Sequence, residues 1–164
     1  LYRVATQDVT KIINVPVPKD HNCSGVTGCL KNIAFGAVNN TVRFHGAPHY
    51  CDPMIGEICA LPALRDKVVL HVMDALRALC DGGPTVGNPE RIFEPRELWL
   101  ATDPVAADTV ALDMINAERE ASGLPPIGEA GPSPKHIETA EALGLGVSAP
   151  GASSIAYADI SSEV

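Results

Sequence analysis

A chain of 164 residues can bury the core of one domain, and a composition of 46% hydrophobic and 20% charged residues is that expected of a soluble globular protein. No apolar run reaches the roughly 20 residues that cross a bilayer as a helix. The net charge of −8, from 20 acidic and 12 basic residues, argues against a nucleic-acid partner, which needs a basic surface, but leaves room for a local basic pocket that takes a small anion.

Lys11 to Val17 (KIINVPV) is a short β-branched run that predicts a strand, ended by Pro16 and Pro18. A polar, glycine-bearing loop follows over His21–Gly28, then a helix from Cys29 to about Val38, stopped by Asn39-Asn40. Asp52-Pro53, Asp103-Pro104 and Ser133-Pro134 each place a capping side chain before a proline at the first helical position. Lys67–Met73 and Arg96–Ala101 predict two more strands, separated by the turn-rich loop Cys80–Pro89. In the helix from Pro104, Ala106, Val110 and Met114 recur at helical spacing, as do Ala111 and Ile115. Gly123–Pro132 is a Pro/Gly-rich connector, and the helix from Pro134 is expected to stop at Leu143 with Gly144 as its C-terminal cap. A last strand is expected over Ser154–Ile160. This order predicts one α/β domain over residues 1–164, a layered fold with a mixed or mostly parallel sheet flanked by helices.

The five cysteines are Cys23, Cys29, Cys51, Cys59 and Cys80, an odd count that forbids complete internal pairing. No Cys-x-x-Cys pair occurs, so neither a thioredoxin nor a ferredoxin cluster motif is present. The chain starts at Leu1 rather than Met. Its precursor is thus open to processing or trimming, with a cytoplasmic or an exported product.

The first candidate site is the segment Lys19–Asn32. Gly25 and Gly28 let the backbone bend and approach a ligand. The helix that follows would aim free N–H groups and its positive dipole end at the loop, and Lys19, His21 and Lys31 add positive charge. Lys19, His21, Gly25, Thr27, Gly28 and Asn32 are the expected contacts of a carboxylate or phosphate, with Lys31 placed to do chemistry. The alternative is a glycine turn that merely joins strand to helix. The second candidate is His45-Gly-Ala-Pro-His-Tyr-Cys-Asp52, in which His45, His49 and Cys51 are competent zinc or iron ligands. Asp52 has an alternative role as a helix cap, and Cys51 as a buried thiol. Cys23 and Cys29 can pair as a disulfide in an oxidising compartment, and Cys29 at a helix N-terminus would have a depressed pKa. Asp74 ends a strand, where ligands gather in open α/β sheets, and is a candidate general base, metal ligand or turn residue. Asp108 is read as a complement to the dipole of its own helix, and His71 as a structural histidine.

The segments Asn14–His21 (NVPVPKDH) and Gly25–Asn32 (GVTGCLKN) carry a resemblance to the bacterial family called domain of unknown function 362. That family has Lys-x-His, then Gly-Val-Thr-Gly-x-Leu-Lys-Asn, a downstream His, a strand ending in Asp, a Gly-Gly-Pro-like loop and a Thr-Asp-Pro-Val-Ala-x-Asp helix start. In this chain the later elements fall on His45, Asp74, Gly82–Pro84 and Thr102–Asp108. The resemblance runs from Lys11 to about Gly146 and is to the C-terminal part of the family domain, which usually has a further α/β portion before it. It implies redox or iron–sulfur company, although the ferredoxin-like cysteine module of some members has no counterpart in this sequence. It also implies association with an N-terminal portion, or self-association through the surface such a portion would cover.

No Walker loop, Gly-x-Ser-x-Gly elbow, His-Glu-x-x-His or Gly-x-Gly-x-x-Gly fingerprint occurs. Two functions remain. One is a metal- or anion-binding domain, enzyme or not, built on Lys19–Asn32, His45 and Asp74. The other is a noncatalytic binding or assembly module. Convergence of His21, Lys31, His45 and Asp74 on one pocket would favour the first.

Overall fold

The computed structural model describes residues 1–85, 87–129, 131–149 and 156. The strand expected over Ser154–Ile160 lies, apart from Ala156, outside them.

The β-branched run after Lys67 forms the longest strand, β4 (Val68–Ala75). Its alternation puts His71, Met73 and Ala75 on one buried face. β1 (Ile12–Asn14) pairs with it in parallel, and β7 (Glu97–Ala101) pairs antiparallel on its other edge. This three-stranded sheet is therefore mixed, in the order β1-β4-β7. Trp99 stands opposite Met73 and Ala101 opposite His71. Cys29, Ala107 and Ala111 of the overlying helices close this inner face around Met73. On the outer face Ile13, Leu98 and Leu100 remain 60%, 61% and 69% exposed.

The helices are α1 (Cys29–Gly36), α2 (Met54–Ala60), α3 (Pro62–Arg65), α4 (Pro104–Ala121) and α5 (His136–Ala142). Leu30, Ala34, Ile55, Leu64, Val105, Ile115 and Ile137 form the main core where they meet. Asp103 caps α4, its carboxylate accepting the N–H groups of Val105 and Ala106 at 2.9 Å each. The other two expected caps are not made. Asp52 accepts the Thr139 hydroxyl at 2.7 Å instead, which ties the start of α2 to α5. α5 begins only at His136, too far along the chain for Ser133 to cap it, and Lys135 occupies the N-cap position without a side-chain bond. Its other end is as expected. Gly144 has φ of +74°, and the Leu145 N–H returns to the Ala140 carbonyl at 3.0 Å.

The polar stretch expected to be a loop is a hairpin. β2 (Lys19–His21) and β3 (Gly25–Thr27) pair antiparallel. With β5 (Ala78–Leu79) and β6 (Ile92–Phe93) they make a second sheet, in the order β3-β2-β5-β6. Three-residue strands show no readable period, and this hairpin buries polar side chains that are satisfied internally. The Asp20 carboxylate accepts the Gly83 N–H at 2.7 Å, and the Ser24 hydroxyl donates to the Val26 carbonyl at 3.0 Å. Burial raises the Asp20 pKa above the ordinary carboxylate range. Through Asp20 the Gly82-Gly83-Pro84 loop is clipped onto β2, which brings Pro84 to the mouth of the cleft described next.

Candidate functional site

A cleft of about 310 Å³ opens between the β2–β3 hairpin, α1 and the 3-10 turn Thr41–Phe44. Its walls include Lys19, His21, Thr27, Lys31, Asn32 and His45. β2 presents Lys19 and His21 two residues apart, so on one side of the strand. The hairpin register sets Thr27 opposite Lys19. α1 contributes Lys31 and Asn32 in its first turn, and His45 ends the 3-10 turn. No carboxylate lines this cleft among the described residues, in a chain of net charge −8.

Hydrogen bonds fix which nitrogen of each histidine carries the proton. His21 Nδ1 accepts the backbone N–H groups of Cys23 at 3.0 Å and Ser24 at 3.3 Å, so its proton sits on Nε2. His45 Nδ1 lies 2.8 Å from the Thr41 carbonyl, which can only accept, so Nδ1 carries a proton. The two rings lie 5.4 Å apart, centroid to centroid. The cleft thus offers the Nε2–H of His21 as a donor beside the His45 ring. Burial lowers the His21 pKa to about 3, helped by the charge of Lys31.

Lys31 is only 6% exposed. Its Nζ lies 3.5 Å from Thr27 Oγ1 and 5.6 Å from the centre of the Phe35 ring. Among the described residues it pairs with no carboxylate. Burial lowers its pKa to about 8, and Lys19 pushes the same way.

The N-terminus of α1 is not open to a ligand. Asp108, completely buried on α4, reaches across and accepts the N–H groups of Cys29 and, at 3.0 Å, of Leu30. It complements the dipole of α1 rather than that of its own helix. Burial raises its pKa to about 7 against the pull of those two donors. Gly28 is glycine because a β-carbon there would collide with the Asp108 carboxylate. Gly25 has φ of +75°, and a β-carbon there would lie only 2.8 and 2.9 Å from the backbone of Pro132 and Pro134. Both glycines therefore shape the hairpin without lining the cleft. Cys29 is fully buried, and burial with the neighbouring Asp108 raises its pKa, opposite to the expected activation. All five cysteines are free thiols, Cys23 and Cys29 included.

Asp74 is placed elsewhere, with its carboxylate accepting the Leu76 N–H at 3.1 Å in the turn after β4. His45 lies on the cleft, His49 is exposed and Cys51 is buried. Among the described residues no three His, Cys, Asp or Glu side chains gather in a metal-holding group. His45, His49 and Cys51 are therefore not brought together as one such group among the described residues. No helix among the described residues is long and apolar enough to cross a membrane.

Two further features, the Asn14 link between Asn32 and His71 and the buried His136, were not singled out by the sequence. Asn32 donates to Asn14 Oδ1 at 2.7 Å, and Asn14 donates to His71 Nδ1 and to the Cys29 carbonyl at 2.9 Å each. This line runs from the cleft to a second cavity of about 160 Å³ lined by His71, Thr102 and Arg65. It also confirms His71 as a buried histidine held by β1, with its pKa lowered by burial to about 4. His136 is 1% exposed, and its Nε2 has no hydrogen-bond partner among the described residues. Burial, with the charge of Lys31, lowers its pKa to about 3.

Fold and cleft together define a layered α/β protein with a basic pocket at the edge of its four-stranded sheet. The chain belongs to the family described as Domain of unknown function (DUF362), whose family model matches residues 4–113. No curated protein matches the chain, and no solved structure does.

Proposed function

We propose that the cleft binds a small anion, a carboxylate or a phosphate, between Lys19, Lys31 and the Nε2–H of His21. The observation that carries this reading is Lys31, a buried ammonium with no carboxylate partner among the described residues. A buried charge is costly unless it is paired, and a bound anion supplies the missing pair. The lining supports the same reading, with two lysines and two histidines and no acidic side chain among the described residues. His45 Nε2 adds an acceptor beside the donors, so a ligand that carries both an anionic group and a hydroxyl matches the cleft best.

Calorimetric titration with inorganic phosphate and with short carboxylates tests the proposal. A charge-assisted hydrogen bond contributes about 1.5–3 kcal/mol, so Lys31→Met should weaken binding roughly ten- to a hundredfold. Lys31→Arg, which keeps the cation, should retain most of the affinity. Failure of the wild-type protein to bind either anion class would sink the reading.

A second reading, association through the outer sheet face, is favoured by the exposure of Ile13, Leu98 and Leu100. Self-association in sedimentation equilibrium, lost in Leu98→Glu/Leu100→Lys, is its expected signature.

A further inference from the structure

Resting on the anion reading, we propose that Lys31 is a nucleophile, and that the ligand is a small carbonyl compound whose carbonyl neighbours the anionic group, a 2-oxo acid being the simplest case.

The cleft has the parts this chemistry needs. Lys31 reaches it from the first turn of α1, buried, backed by the Phe35 ring and held by no carboxylate among the described residues. An amine in such surroundings sheds its proton more readily than a surface lysine and becomes nucleophilic. The lowered pKa of about 8 is in keeping with this placement. Lys19 remains to meet the carboxylate. His21 offers Nε2–H as a donor toward the carbonyl oxygen, and His45, its Nδ1 held by the Thr41 carbonyl, presents Nε2 on the same cleft as the proton relay of the proposal. The tautomers are fixed by backbone partners, so donor and base do not exchange places. A volume of about 310 Å³ equals about ten water volumes, enough for a short oxo acid.

The reaction balances without a co-reactant. The neutral Lys31 amine adds to the carbonyl carbon, forming a C–N bond while the C=O π pair moves to oxygen. One nitrogen proton passes to His45 Nε2 and is returned to the oxygen. The carbinolamine then expels water as C=N forms, leaving an imine between Lys31 and the ligand. The net change is amine plus carbonyl giving imine plus water.

The test is reductive trapping of the purified full chain with pyruvate and sodium borohydride, read by intact mass and peptide mapping. The expected result is a single addition, equal to pyruvate less one oxygen, on Lys31. It should exceed labelling of the exposed Lys11 and Lys135 by at least about tenfold, because a desolvated amine gives up its proton more readily than a solvated one. Excess inorganic phosphate should suppress it in the wild-type protein, a control that needs no variant. Lys31→Arg should abolish the adduct while still binding phosphate. Phosphate binding without an adduct on Lys31 would overturn the imine and leave the anion site standing. Neither binding nor adduct would overturn both. Labelling spread evenly over surface lysines would also overturn the imine.

Discussion

Two buried ionisable groups meet in the first turn of helix α1, and they are treated in opposite ways. Asp108 arrives from α4 and is closed off by the N–H groups of Cys29 and Leu30. Lys31, on α1 itself, faces a cleft with one hydroxyl at 3.5 Å and no acid among the described residues. Charge buried inside a protein is costly in both places. At Asp108 the fold itself supplies the partners, so the group is structural. At Lys31 it does not, so the compensation has to come from outside. The comparison teaches that the positive end of a helix is not by itself a ligand site, since this one is already occupied by the protein's own carboxylate.

The largest expected effect breaks the closed member of the pair. Asp108→Ala should cost about 1–3 kcal/mol for each of the two buried N–H groups left without an acceptor, measured by urea unfolding. Asp108→Asn should cost less, because the amide oxygen still serves one of them.

Next comes loss of anion binding in Lys31→Met with the fold retained. Removing an uncompensated buried charge should leave stability at pH 7 unchanged or slightly higher.

A smaller effect lies in the pH dependence, where the two groups act in separate windows. Asp108 has a raised folded pKa of about 7. Between about 4 and 7 folded Asp108 thus holds a proton that the unfolded state has released, so its own contribution to stability falls as pH rises, against the rise contributed by buried His21, His71 and His136, whose folded pKa values are lowered to about 3, 4 and 3. Lys31 has a lowered folded pKa of about 8 against an ordinary 10.5. Between those values the unfolded state holds the extra proton, and stability rises with pH. Asp108→Asn should remove the falling contribution and so steepen the rise of stability with pH in the first window alone, and Lys31→Met should remove the rising contribution from the second alone, in unfolding curves taken across pH.

The smallest change is expected for His45→Gln. It should weaken ligands bearing a hydroxyl more than inorganic phosphate, with little effect on melting temperature, since the ring sits at the cleft edge.

Much of this architecture was legible in the residues. The strands around Ile12, Val68 and Glu97, and helices α1, α4 and α5, follow from β-branched runs, periodicity, the Asp103 cap and Gly144. Six of the expected site residues, Lys19, His21, Thr27, Lys31, Asn32 and His45, do meet in one cleft. The hairpin was not legible, because short strands that bury Asp20 and His21 look like a polar loop. Asp108 was misread as a partner of its own helix. Its signal was present, since it shares the three- and seven-residue spacing of the buried Ala111 and Ile115 and therefore lies on the apolar face of α4. Asp74 fitted a general rule for strand ends, but the local turn at Leu76 claims it.

The clasp between Asp108 and α1 also sets a timetable. Cys29 and Asp108 are 79 residues apart in the chain. At about 5–20 residues per second, α1 waits on the order of 4 to 16 s during synthesis before the carboxylate that holds its first turn has been made. Until then the hairpin and α1 are held only by contacts with residues already made, such as the Asp20–Gly83 clip, and long-range closure is the slow part of assembly. The segment matched by the family model, residues 4–113, spans both ends of this clasp. A nascent chain halted short of Asp108 should therefore expose the start of α1 to hydrogen exchange, and one carried past it should protect it.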